Sequence, residues 1–396
     1  MAEMVASTKG GRMALYGEAL PDFPWDTLQA ARDRAAQFPA GEVDLTIGSP
    51  VDPVPDVALA AVAEAADAHA YPANIGSREL RLAIRAWIRQ QRSCTAAIDF
   101  LPILGEKEMV ALLPSLLGIG EGSIVAFPQI AYPTYDVGAR LAGATPLPID
   151  VEADPANWPA GIRLVWLNSP SNPTGHVLGE EQLRAIVNWA RRTGAVVASD
   201  ECYAALTWGG VTAPSVLADT VTGGDATSLL MLYSLSKQSN LAGYRAAFIA
   251  GDIEIIRRIR EIRKHSGMLM PTPVQHAMAA VLKDHEHVES QCERYAHRRE
   301  MLLAALPEAG LENDPGNEAG LYLWVHAKHP ERGIGAWELV NAFAEVGVIV
   351  APGTFYGTSA EAQGSVRISL TASDTDVRDA ARRLRTLFKL PAPPVL

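Results

Sequence analysis

Short apolar runs alternate with longer amphipathic stretches through the middle of the chain. The runs "SIVAFPQ" (123–129), "RLVWLNSP" (163–170), "GAVVASDE" (194–201), "SLLMLYSLSK" (228–237) and "RAAFIAG" (245–251) have strand length and little polar alternation. Between them lie segments such as "GEEQLRAIVNWARRTG" (179–194), where Leu183, Ile186, Val187 and Trp189 or Ala190 recur near helical spacing. Continuous apolar strands separated by helices predict an α/β domain with a large, mostly parallel sheet covered by helices on both faces. Beyond residue 285 the texture changes: a long charged and apolar helix pattern is followed by "AGLYLWVHA", "GVIVAPG" and "SVRISLTAS", some with period-two alternation. This predicts a smaller α+β domain. The expected organisation is an N-terminal segment, 1–45, packing with the small domain, a large α/β domain, 46–285, and a small C-terminal domain, 286–396.

Composition narrows the class. A length of 396 residues exceeds what one compact core usually holds. The formal charge of −11 argues against a general nucleic-acid surface and against binding to an anionic membrane. The best apolar stretch, "MVALLPSLLGIG", is short and interrupted by Pro114, so no membrane span is expected. The first residues, "MAEMVASTKGGRM", lack the apolar core of a secretory leader and read as a loose tail. Cys94, Cys202 and Cys292 are widely spaced, with no disulfide framework and no ligand spacing for a metal. A cytoplasmic location is expected.

The chemistry-bearing residues lie where the central strands end, which is where open α/β sheets bind ligands. Run 163–170 leads into "NSPSNPTG", run 194–199 into "DECY", and run 228–233 into "SLSK". Asn172, Asp200, Tyr203 and Lys237 are thereby directed to one crevice. Deprotonated, Lys237 is a nucleophile for an aldehyde. Ser234, Ser236 and Arg245 surround it with donors suited to a phosphate. Asp200 can pair with a protonated ring nitrogen, and Tyr203 and Asn172 can donate to a phenolate. A nucleophilic lysine, an acid for a pyridinium and a phosphate cup together describe pyridoxal 5'-phosphate. Singly, each feature has a plainer reading: a surface lysine, a helix cap, a proline–glycine turn. Their order and placement carry the inference.

The ordered motifs "NSPSNPTG", "DECY" and "SLSKQSNLAGYR" resemble the fold-type I pyridoxal phosphate enzymes of aminotransferase classes I and II. "LPDFPWDTL", "IGSPVDPVP", "AYPTYDVGARLAGA" and "RKHSGMLMPTPVQ" look like the actinobacterial type of N-succinyldiaminopimelate aminotransferase, of lysine and diaminopimelate synthesis. The resemblance implies that Lys237 bonds to the cofactor aldehyde, Asp200 holds the pyridinium, and Tyr203 and Asn172 contact the ring's 3-oxygen. It implies further that Ser234, Ser236 and Arg245 bind phosphate and that Tyr132 stacks on the ring. Tyr71, in "YPANIGSRELR", resembles the tyrosine that reaches the phosphate from a neighbouring subunit, which implies a homodimer with shared active sites. Gly48 and Arg367 match positions that meet the substrate carboxylate. Arg367 alternates with Val366, Ile368 and Leu370 in "SVRISL", which puts it on the face opposite the apolar set.

One position departs from the family pattern. In "LPILGEKEMV" a serine or threonine is usual after the glycine, and here Glu106 follows Gly105. A carboxylate facing a phosphate is repulsive. Glu106 is therefore expected to turn outward, with Gly105, Glu106 and Lys107 offering backbone N–H groups at a helix start. The resemblance implies glutamate with 2-oxoglutarate, and N-succinyl-LL-2,6-diaminopimelate with its oxo acid, as substrates. Lys264 and His265 are candidates for the distal succinyl end or for the subunit contact that shapes it, against a plainer reading as a basic helix terminus. Other specificities of the same scaffold are N-acetylornithine, aromatic or aliphatic amino acids, a carbon–sulfur lyase and a transcription regulator. The last needs a DNA-binding domain for which few residues precede "LPDFPWD".

Overall fold

A computed structural model describes residues 20–329 and 333–387; the tail reading of residues 1–13 lies outside them. The strands are β1 (Val43–Asp44), β2 (Asp99–Leu104), β3 (Ile124–Pro128), β4 (Thr145–Ile149), β5 (Ile162–Asn168), β6 (Val196–Asp200), β7 (Leu229–Ser234) and β8 (Ala246–Gly251). They continue with β9 (Leu311–Asn313), β10 (Tyr322–Ala327), β11 (Val348–Ile349), β12 (Ala351–Pro352) and β13 (Ser365–Ser369). Seven of them form one sheet in the order β2-β8-β7-β6-β5-β3-β4. Only β8 runs antiparallel to its neighbours.

The central strands are apolar throughout because both faces are covered. Val165, Leu167, Val197, Met231 and Tyr233 pack into one hydrophobic cluster, while Leu164, Trp166, Ala198, Leu230 and Leu232 pack into another. Alternate residues of a strand point to opposite faces, so each strand feeds both layers. Helix Glu180–Thr193 shows how the covering helices are specified. Glu180 and Glu181 occupy its first turn, Arg191 and Arg192 its last, and Gly194 ends it in a left-handed conformation. Leu183, Ile186, Val187, Trp189 and Ala190 are all buried.

Two strands absent from the apolar-run reading, β2 and β4, are the two edges of the sheet. Each carries internal proline, Pro102 in β2 and Pro146 and Pro148 in β4. Proline removes a ladder donor, which an edge tolerates, and it also weakens the sequence signal. The run read as 228–237 is a strand only to Ser234. There the Ser234 hydroxyl accepts from the Ser236 N–H at 3.2 Å, and residues 235–238 turn into a short helix.

A second sheet, β12-β13-β10-β9, is antiparallel, and β1 pairs in parallel with β11. Leu28, Ala31, Ala35, Val43 and Leu45 share a core with Leu302, Phe343, Ile349, Ile368 and Leu384. The chain's N-terminal part therefore closes the core built by its C-terminal part. Among the described residues no helix is long and apolar enough to cross a membrane.

Candidate active site

β5, β6 and β7 lie side by side, and their C-terminal ends open onto a cavity of about 400 Å³. Gly48, Glu106, Lys107, Tyr132, Asn172, Asp200, Tyr203, Ser234, Ser236, Lys237, Arg245 and Arg367 all line it. Each position follows from the local fold. Asp200 is the last residue of β6, and its two oxygens accept from the Tyr135 hydroxyl at 2.8 Å and the Cys202 N–H at 3.2 Å. Asn168, ending β5, donates from Nδ2 to the Asp200 carbonyl at 3.1 Å and accepts the Asn172 N–H at 2.7 Å. This ties the "NSPSNPTG" loop to the end of β6. Lys237 sits in the helical turn after β7, its Nζ donating to the Gly48 carbonyl. A Cβ at Gly48 would collide with the Tyr322 hydroxyl, so glycine is required for that approach.

The phosphate-type donors converge on one corner. Ser234 Oγ donates to Ser236 Oγ at 2.9 Å. Arg245 has φ of 56°, an uncommon conformation for a side-chain-bearing residue. Its guanidinium lies over Gly105, where φ is 84° and any Cβ would collide with it. Gly105 caps helix Glu106–Leu116, whose first N–H groups have no intrahelical acceptor.

Arg367 projects from β13 into the cavity although it is only 2% exposed. It donates to Asn172 Oδ1 at 2.8 Å and to the Thr46 carbonyl. Its guanidinium carbon lies 3.8 Å from the ring centre of Tyr322 and 5.0 Å from that of Tyr356. Nε has no partner, and among the described residues Arg367 forms no ion pair. A buried guanidinium with an open donor and no protein counter-ion is suited to receive an anion. Tyr203 meets Tyr322 hydroxyl to hydroxyl at 3.4 Å. Burial, and secondarily Tyr322, push its hydroxyl well above the usual tyrosine range, so it stays a proton donor at neutral pH.

One residue, Glu106, is placed otherwise than the sequence suggests. Glu106 does not turn outward: it is 7% exposed, and its carboxyl and those atoms of Asp200 and Cys202 able to bind a proton or metal lie within 4.8 Å of one another. Burial first, and then the Asp200 charge, raise its pKa well above the carboxylate range. The outward expectation assumed an ionised group, and burial beside Asp200 disfavours that form. Lys264 and His265 end helix Ile253–Ser266, are exposed, and lie outside the cavity of their own chain. Tyr71 is 96% exposed and also lies outside it.

Sequence reasoning missed Tyr135, Tyr322, Tyr356, Phe23 and Trp25. Tyr135 stands three residues after Tyr132 and was legible only as part of a motif. Phe23 and Trp25, with Ile47 and Tyr132, form the apolar wall of the cavity. Lys107 stands in that wall, 5.4 Å from the Phe23 ring centre and 5.7 Å from that of Tyr132.

The sheet packed on both faces, the second sheet and a lysine at the strand ends fit the fold-type I pyridoxal phosphate enzymes, and the chain belongs to the family of class I and II aminotransferases. The model of "Aminotransferase class I and II" matches residues 40–384. The 4-dedimethylamino-4-oxo-anhydrotetracycline transaminase OxyQ of Streptomyces rimosus is 47% identical over 92% of this chain and 99% of its own length. The probable aminotransferase Rv1178 of Mycobacterium tuberculosis is also 47% identical, over 96% of this chain and 88% of its own. Among solved structures, a probable N-succinyldiaminopimelate aminotransferase from Thermus thermophilus superposes with a TM-score of 0.81. It is 27% identical and covers 92% of this chain and all of its own. The cofactor of this family is pyridoxal 5'-phosphate. The cavity fits it: a buried carboxylate, a lysine amine and a serine–arginine corner at a helix start stand in one space.

Proposed function

We propose that this aminotransferase moves the amino group of N-succinyl-LL-2,6-diaminopimelate to 2-oxoglutarate, in the synthesis of diaminopimelate and lysine. The observation that carries an amino-acid substrate is Arg367, buried, without a counter-ion among the described residues and with Nε unpaired. Its fork suits an α-carboxylate, held as a pair of charge-assisted bonds. The distal carboxylates of the substrate meet Lys107, which among the described residues forms no ion pair and stands beside Phe23 and Tyr132. The likeness to the Thermus protein supports the succinylated substrate.

Roles for the chain's own groups follow from their positions. Ser234, Ser236, Arg245 and the N–H groups after Gly105 would hold the phosphate, Asp200 the ring nitrogen, and Tyr203 and Asn172 the ring oxygen. Tyr132 would cover the ring face. When bound, pyridoxal phosphate supplies an electron-accepting ring that stabilises negative charge at the substrate's α-carbon. Lys237 Nζ takes the proton from that carbon and acts as the general base. Arg367 and Asn172 keep the α-carbon in reach of Lys237, and the aromatic wall limits water. Tyr71, exposed and outside its own cavity, would serve the site of a second copy, which makes the working unit a homodimer. The three cysteines are unpaired, which supports a cytoplasmic setting.

A second reading is favoured by the OxyQ likeness: amino transfer to a large polycyclic ketone. Initial rates separate the two. The first reading expects kcat/KM for N-succinyl-LL-diaminopimelate far above that for N-acetylornithine, and a rise in KM for the succinylated substrate in K107Q. Equal rates with both substrates, or an unchanged KM in K107Q, would sink it.

A further inference from the structure

Glu106 is a buried carboxyl in a site that must hold a phosphate, and it stands at the first position of helix Glu106–Leu116. Its Oε1 finds no donor among the described residues. The charged and titratable groups around it are anionic or turned to other partners. Asp200 faces it and accepts from Tyr135 and the Cys202 N–H. Glu201 is paired with Arg92 at 2.7 Å, and the Cys202 thiol is buried. On its own helix, Lys107 points toward Phe23 and Tyr132, and Glu108 pairs with Arg263 at 3.0 Å. Lys237 is bound to the Gly48 carbonyl, and Arg245 lies over Gly105. Among the described residues no cation forms an ion pair with Glu106, and two adjacent carboxyls share one proton more cheaply than they bear two charges.

We propose that Glu106 is a positioning residue: as a neutral acid it shares a proton with Asp200, steadying the carboxylate that serves the cofactor ring, and this chain holds pyridoxal phosphate tightly only while that proton is in place. Loss of the proton to solvent leaves Glu106 as a carboxylate beside Asp200 and in the same cavity as the phosphate donors, where like charges repel. The burial-driven rise in its pKa supports the same arrangement. The inference rests on the cofactor alone and not on the succinylated substrate, so the two can fail separately.

The test is equilibrium binding of pyridoxal phosphate to apoprotein of the wild type, E106Q and E106T, followed by protein fluorescence across neutral to alkaline pH. Glutamine keeps a donor for Asp200 without a titrating proton, and threonine restores the hydroxyl usual in the family. From about pH 6.5 to about pH 9 the wild-type affinity should fall about tenfold or more relative to E106Q. Titration calorimetry in two buffers of different ionisation enthalpy should show about one more proton taken up by the wild type at the alkaline end. E106T keeps the test open if E106Q folds poorly. A constant ratio of wild-type to variant affinity across pH, or equal proton uptake, would overturn the proposal.

Discussion

Asp200 can serve the cofactor only if the end of β6 is fixed, and the residue that fixes it is its neighbour Glu201. Strand alternation sends Glu201 away from the cavity, into a buried pocket where its side chain is 1% exposed and that of Arg92 is 6% exposed. Glu201 Oε2 accepts from Arg92 Nε at 3.0 Å and Nη2 at 2.7 Å. Oε1 accepts from the Ser215 hydroxyl at 3.0 Å and the Val216 N–H at 2.8 Å. E201A therefore strands a buried guanidinium and a backbone donor together. Breaking a buried pair from one side costs about 3–5 kcal/mol, because the surviving charge keeps its desolvation penalty. Replacing both partners with apolar groups removes that penalty, so R92M/E201M should recover most of the loss. Urea unfolding of the apoproteins measures both, and the double-mutant cycle should give a coupling of about 2 kcal/mol or more. E201A should also weaken cofactor binding, since Asp200 then hangs from a loosened strand end. A loss below about 1 kcal/mol in E201A, or simple additivity in the double variant, would refute this account of how Asp200 is held.

Other outcomes follow from single groups. R367K keeps the charge but not the fork, and at about 1.5–3 kcal/mol per lost charge-assisted bond, kcat/KM for amino donors should fall roughly 10²-fold, measured by initial rates. Cofactor affinity should be unchanged in that variant. His176 joins Glu152 at 3.0 Å to Asp314 at 2.7 Å, and chiefly the Asp314 bond raises its pKa to about 9. A raised histidine stabilises the fold fully below its unfolded value, about 6.5, and the contribution is lost as pH rises through about 9. H176Q should thus be less stable than the wild type at neutral pH by about 1–2 kcal/mol after solvent screening, the gap closing near pH 10. Parallel denaturant series at several pH values read this directly.

Much of this site is written locally in the chain, and the rest is not, for identifiable reasons. β5, β6 and β7 are central and buried on both faces, so their apolar runs are unbroken, and the polar residues that follow them mark the cavity. β2 and β4 are edges that tolerate Pro102, Pro146 and Pro148, and the same prolines hide them. Tyr322 reaches the cavity from the second sheet and Trp25 from the N-terminal segment. No local pattern records that either meets Arg367, because those contacts exist only once the two cores have closed. Glu106 shows the limit in another form. Its charge at neutral pH was read from its residue type, whereas its protonation is set by burial and by Asp200, which lies 94 positions further along the chain (200 − 106).

The central claim is that Lys237 holds pyridoxal phosphate in a site shaped for an amino acid with a succinylated distal end. It is tested most directly by the absorbance of the purified holoprotein before and after addition of N-succinyl-LL-diaminopimelate without any oxo acid. Glutamate and N-acetylornithine are run alongside. The account predicts that the band of the lysine-bound cofactor gives way to that of pyridoxamine phosphate with the succinylated substrate and with glutamate, and far less readily with N-acetylornithine. A band that is present in the wild type, absent in K237A, and unmoved by the succinylated substrate would contradict the proposed specificity; the same band surviving in K237A would contradict the site.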